Sequence, residues 1–268
     1  MFHRIVISLS VMLMAILSHA ADPIRPMLRD SVLTLPATLK SIGSYAYADR
    51  EDIREIVVGS GLIIGEYAFI ECTNLRKVSF SGPVTLEAGA FRDCIHLEEV
   101  SIPEGLTQLP YALFYGCEGL KRVKLPLSLR KIGAHCFAYS GLMEITFPNE
   151  LLEISSNAFS RCEHLREIVL PGKLRLLDSY AFSDCTSLEL ITLPGNNRRL
   201  GELILSGCRA LKEIREPSPG VPEFECESYL LEPDEPAYDE IQLFVPALSI
   251  ERYHRAHSWR LFRHILPI

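Results

Sequence analysis

The chain has 268 residues, 48% of them apolar and 23% charged, with a formal net charge of -7. Acidic and basic residues are interleaved along it rather than gathered into the basic stripe that a phosphate backbone requires, which excludes nucleic acid as the expected partner. Length alone leaves the domain count open, so internal repetition has to be read first.

The first segment is a short basic start containing Arg4, the apolar run IVISLSVMLMAIL, and SHA before Ala21. This pattern is a secretory signal peptide over residues 1–20, with a small-x-small cleavage site after Ala20. The apolar run is shorter than the ~20 residues that a spanning helix needs. Removing the leader takes away Arg4 and brings the formal charge to -8. No cysteine follows the cleavage site where a lipid would be attached, and the C-terminus has no second apolar span. The expected product is soluble and exported, to the extracellular space, the cell surface or the periplasm, with no integral membrane association.

From Ser31 onward the chain repeats itself. AFRDCIHLEEVSIP at Ala90 returns as AFSRCEHLREIVLP at Ala158 and AFSDCTSLELITLP at Ala181. Aligned on the aromatic residue, the marks fall at Tyr47, Phe69, Phe91, Phe114, Phe137, Phe159, Phe182 and Leu205, at intervals of 22 or 23 residues. Units this short cannot enclose their own apolar face, so they must stack and share one continuous core. The V-x-I/L segment of each unit, as in Val100 and Ile102 or Ile168 and Leu170, alternates as a short strand does. Proline at 103, 126, 148, 171 and 194 closes it, because proline cannot donate to a ladder. A second short element covers the LRKIG type of stretch, and a turn or a fragment of helix carries AF. One unit is shorter by a residue: Ser140-Gly141-Leu142 stands where others have Cys-x-x-Leu, and Gly141 is expected to supply the tighter turn.

Cys72, Cys94, Cys117, Cys162, Cys185 and Cys208 occupy equivalent positions, with Cys136 and Cys226 outside the series. Export would favour disulfides, but side chains projecting in parallel from successive rungs do not meet disulfide geometry. The six are read as a structural ladder of buried small hydrophobes whose S–H groups reach backbone carbonyls. A Cys208–Cys226 bond at the end of the array stays open. A metal site is not expected, since C-x₂-C is absent.

Residues 31–214 form the array, and residues 215–268 an irregular last unit and cap. The cap begins with the proline-rich and acidic stretch after Ile214, continues through the strand-like IQLFVP at Ile241, and ends in LSIERYHRAHSWRLFRHIL. The last stretch reads as an amphipathic helix that covers the terminal rung through Leu248, Tyr253, Trp259 and Phe262. His254 and His257 would share a face of that helix, with His264 beyond it. His96 and His164 precede a leucine in equivalent turns, and all five read as solvent-facing.

The unit I-x-x-x-A-F-x-x-C-x-x-L-x-x-V-x-L-P-x-x-L resembles the leucine-rich repeat of bacterial surface proteins of the BspA-like type. The likeness runs over residues 31 to 268 and includes a closing segment matched by Val245, Pro246, Tyr253, Trp259 and Phe262. It implies a leucine-rich repeat solenoid, α/β to mainly β. In that fold, 22–23-residue units stack into a curve with parallel strand ladders and a C-terminal capping helix. It further implies export from a bacterium and binding through a surface, as in relatives that act as adhesins or hold host matrix proteins. The family offers no catalytic residues to carry over.

The residues themselves agree on catalysis: H-E-x-x-H, G-x-S-x-G and a phosphate-binding glycine loop are all absent. No enzyme activity, metal or cofactor is expected. The outward positions of the strands form two rows. The first is Lys77, Glu99, Arg122, Glu144, Glu167, Leu190 and Glu213; the second is Ser79, Ser101, Lys124, Thr146, Val169, Thr192 and Arg215. Of these, Lys77, Glu99, Arg122, Lys124, Glu144, Glu167 and Arg215 form the candidate binding face, basic near its start and acidic towards its middle. The expected partner is a protein, a host extracellular or surface protein among the candidates, and the alternative role is structural or self-associating in the envelope. Carbohydrate recognition finds no support in any repeated outward aromatic position.

Overall fold

The computed structural model describes residues 27–195, 199–224 and 229–268. The leader assigned to residues 1–20 lies outside them. A regular unit contributes a strand of three or four residues, a turn, a strand of two residues and a second, broader turn. Parallel pairing joins like strands from unit to unit in exact alternation of the repeat: Lys77 faces Glu99, Glu99 faces Arg122, and Glu167 faces Leu190. The outcome is a β-solenoid with a long-strand face, a short-strand face and a turn face.

The core is made of the repeat's own apolar positions. Phe69, Phe91, Phe114, Phe137, Phe159 and Phe182 are fully buried. With Tyr47 they form a spine of parallel rings whose centroids lie between 5.1 and 5.8 Å apart. Such offset stacks add about 0.5–1.5 kcal/mol per pair beyond the area they bury.

The AF segment is a turn, not a helix. Two left-handed residues flank each aromatic, for example Tyr67 (φ 53°) and Glu71 (φ 57°) around Phe69. That conformation is costly outside glycine. Here it aims alternate N–H groups at the next unit: Tyr67, Phe69 and Glu71 donate to the carbonyls of Ala88, Ala90 and Arg92, each at 2.9 Å. The turn face is therefore a third hydrogen-bonded ladder, which satisfies backbone groups that a buried turn would otherwise leave unpaired.

Both ends differ from a plain repeat. Met27–Arg29 pairs antiparallel with Val32–Leu35, so a hairpin covers the first edge of the long-strand face. At the other end the expected long amphipathic helix is reduced to Ile250–Arg255, preceded by a 3-10 turn at Ala247–Ser249. The chain turns extended at Ala256, and His264–Pro267 becomes a further strand parallel to Gln242–Val245. The reason is the open edge of Gln242–Val245, whose unpaired N–H and C=O groups a strand satisfies and a helix does not. Leu248, expected to pack on the last rung, is 97% exposed, whereas Tyr253, Trp259 and Phe262 are buried and in ring contact with one another.

Candidate functional site

The regular ladder on the long-strand face stops once. Six strands run in sequence to Arg122–Lys124, and five more run from Glu167–Val169 to the C-terminus. Between them lies Glu144–Phe147, expected as an ordinary rung and not one. Among the described residues, Glu144, Ile145, Thr146 and Phe147 make no backbone–backbone hydrogen bond. The cause is the short unit: with one residue fewer between Phe137 and Pro148, the segment cannot keep the register of its neighbours. Gly141 is needed here, but not for the reason its turn suggested. A Cβ on it would lie 2.0 Å from the Glu118 carbonyl oxygen of the preceding unit, so close approach selects glycine.

An open groove of about 950 Å³ lies across this interruption. Lys77, Glu99, Arg122, Lys124 and Glu144 stand along it, over apolar side chains that include Phe80, Leu127, Ile145 and Phe147. Leu127 is 75% exposed, and Met143 and Val169 are also exposed beside the interruption. Three large apolar side chains thus stand in the open close together, beside the polar rows of the long-strand face.

The charges are unevenly used. Arg122 donates to Glu99 Oε2 at 3.1 Å, an exposed pair that contributes little to stability. Lys77 and Lys124 make no ion pair among the described residues, and neither does Glu144. Glu167 and Arg215 lie beyond the groove on the second run of strands, both exposed, with Arg215 paired to Glu213. The structure thus brings together five of the seven candidate residues and leaves two apart.

The six ladder cysteines take one position each. Every thiol donates to the carbonyl of the aromatic residue one unit earlier: Cys72 to Tyr47, Cys94 to Phe69, Cys117 to Phe91, Cys162 to Phe137, Cys185 to Phe159 and Cys208 to Phe182. Burial pushes the Cys72 and Cys162 thiols up to about 12, and raises Cys94, Cys117 and Cys185 as well. A thiol held protonated can donate but not attack, which suits a structural role and not a reactive one. Ser140 stands in this ladder where its unit lacks a cysteine, with Oγ 3.3 Å from Cys162 Sγ. Cys136 is buried too, beside the aromatic mark. Cys226 lies outside the described residues, and with it the open question of a bond to Cys208.

The histidines do not converge. His257 lies beyond the helix that was to carry it with His254, and its Nε2 is 2.7 Å from the Tyr229 hydroxyl. His96 Nδ1 is 2.6 Å from the Thr73 carbonyl on an exposed turn, and His164, His254 and His264 are exposed. Among the described residues no three His, Cys, Asp or Glu side chains form a group able to hold a metal ion, and no helix is long and apolar enough to cross a membrane.

Repeating units of this length, with parallel strands on one side and leucines and phenylalanines filling a shared core, make the protein a leucine-rich repeat solenoid. A family model described as the BspA type leucine rich repeat region matches in six copies over residues 31–121 and 109–224. The chain belongs to that family. Among solved structures it is similar to a leucine-rich repeat protein of T. pallidum, with 28% identity over 73% of this chain and 78% of that one, at a TM-score of 0.51. It also shares its fold with a leucine-rich cell surface protein of Faecalibacterium prausnitzii (19% identity, 88% and 78% covered, TM-score 0.51). The pneumococcal vaccine antigen PcpA is a third, with 18% identity, 89% and 79% covered, and a TM-score of 0.56. No curated protein matches the chain.

Proposed function

We propose that this chain is an exported, non-enzymatic scaffold that binds another protein through its long-strand face, centred on the interrupted rung. The supporting observation is the groove across Glu144–Phe147, where exposed apolar side chains, unpaired cations and backbone groups outside any ladder occur together. Apolar contact supplies affinity there, while Lys77 and Lys124 favour an acidic partner surface and set its register. Repeat scaffolds commonly bind along such a face, because outward positions are free to vary while the core repeats. Residence outside the cytoplasm, released or at the surface, accords with the leader sequence and with the cell-surface description of one structural relative.

The test is titration of the chain from Ala21 against extracellular host proteins and bacterial envelope fractions, beside a variant carrying Lys77→Glu, Arg122→Glu and Glu167→Lys. The expected result is saturable binding to one partner, weakened at least about tenfold in a variant with unchanged melting temperature. Equal binding by the variant would move the site off this face. Absence of any ligand, together with self-association in sedimentation, would favour the structural envelope role instead.

A further inference from the structure

The turn face carries a feature that the repeat consensus hides. Tyr45 and Tyr67 stack at 5.2 Å, Tyr111 meets His135 edge-on at 5.7 Å, and Tyr115 lies 5.2 Å from Tyr139. Tyr115 also contacts His135, at 6.4 Å. Gly89 closes the gap in the row: with φ of 61°, it leaves the Tyr67 ring where a Cβ would come within 2.3 Å of it. The guanidinium of Arg92 sits 4.3 Å from the Tyr115 ring centre, and that of Arg161 5.3 Å from Tyr139. Tyr45, Tyr67 and His135 stand two residues before the mark, Tyr111 three before it, Tyr115 one after and Tyr139 two after, so no single alignment column shows them all as a platform. Only stacking places them side by side.

The band runs along five units, spaced at about 4.8 Å per rung, parallel to the solenoid axis. Tyr45, Tyr111 and Tyr139 are more than two-fifths exposed. Among the described residues, the five phenolic hydroxyls make no hydrogen bond within the protein. Burial first, and then neighbouring phenols, raise Tyr67 and Tyr115, so these two hydroxyls stay protonated donors. Burial and then Arg92 lower His135, which keeps its ring uncharged near neutral pH. Arg92 and Arg161 are in turn balanced by Asp93 and Asp184. The face is therefore aromatic, hydroxyl-rimmed and elongated, with the carboxylate of Glu66 beside Tyr67 and those of Asp49 and Glu71 near Asp93, which disfavour an anionic ligand.

We infer that this tyrosine band is a second binding surface, and that its ligand is an extended, uncharged β-linked glycan lying along the stacking axis. A sugar ring offers C–H faces that pack on aromatic rings and hydroxyls that pair with phenols, and a β-linked chain repeats both along a straight line. The phenols are also held by ring contacts and cation–π contacts, so little freedom is lost on binding. A protein ligand is the less apt occupant, because its anchoring side chains need pockets, and the groove of this molecule lies on the long-strand face.

The test is binding of the chain from Ala21 to β-1,4-linked glucan and β-1,4-linked N-acetylglucosamine polymers, with α-1,4-linked glucan as the coiled control. Saturable retention by a β-linked polymer is expected, lowered about tenfold or more when Tyr111→Ala and Tyr139→Ala are combined. Tyr111→Phe and Tyr139→Phe together should keep part of the affinity, since the rings remain and the hydroxyls go. Melting temperatures of all variants check that folding is intact. The groove variant with reversed charges should bind these polymers as the unaltered chain does, which separates this surface from the protein-binding one. Retention of no β-linked polymer, equal retention of the α-linked control, or unchanged binding by the alanine pair would overturn the inference.

Discussion

Single side chains explain why the same residue types return in every unit. A phenylalanine at the mark fills the interior and stacks on two others, so Phe114→Ala should cost about 3–5 kcal/mol in chemical denaturation. A cysteine fits because the site is small, apolar and faces one carbonyl. The raised thiols also fix the sign of a pH effect. Unfolded thiols ionise from about pH 8.5, while the folded ones stay protonated, up to about 12 at Cys72 and Cys162. Over that window the unfolded chain binds fewer protons, so stability, fully present below about pH 8.5, falls as pH rises through it. Each such thiol removes up to about 1.4 kcal/mol per pH unit. Urea denaturation under reducing conditions on either side of pH 8.5 measures this, and Cys94→Ala should flatten the fall. A stability unchanged into the alkaline range would refute the buried-thiol account. The recurrence of these cysteines was legible in the sequence, but the acceptor carbonyl one unit earlier was not, because it belongs to the stacking.

At the scale of elements, two segments depart from the repeat, and each makes a prediction. The shortened unit breaks the ladder at Glu144–Phe147, so those amides should exchange with solvent much faster than the amides of Arg122–Lys124. Restoring the missing residue between Ser140 and Gly141, together with Ser140→Cys, should slow that exchange and weaken binding in the groove. Hydrogen exchange read by mass spectrometry reports the first effect, and equal exchange in both proteins would show that length is not what breaks the rung. The cap is the second case. Trp259 is buried and Leu248 is not, so Trp259→Ala should cost about 3–5 kcal/mol and Leu248→Ser less than about 0.5 kcal/mol. A large loss at Leu248 would reinstate the longer helix. The helical reading of the last stretch was drawn from apolar spacing, which does not register that the neighbouring strand has an open edge to fill.

Across the whole molecule, each unit touches only its neighbours, so stability is close to a sum of unit and interface contributions. A central defect should therefore uncouple the two ends. With Phe137→Ala, calorimetry should resolve two transitions where the unaltered chain gives one, while Tyr47→Ala at the end of the spine should keep a single transition at lower temperature. A single transition in both variants would mean that coupling extends beyond adjacent units. The interrupted ladder sits beside Phe137, at the point where such uncoupling is easiest.

The sequence by itself determined the period, the inward residues, the cysteine series and the solenoid, because a repeated unit too short to fold alone has no other way to bury its apolar positions. It also marked the candidate face, since outward positions on paired strands follow from alternation. Tertiary structure alone decided where the ladder fails, which of the charged residues share a groove, how the C-terminal edge is closed and that scattered tyrosines form one band. These depend on distances between residues of different units, set by the register of stacked rungs, and a deletion of one residue or an open strand edge alters that register without changing the local pattern of side chains.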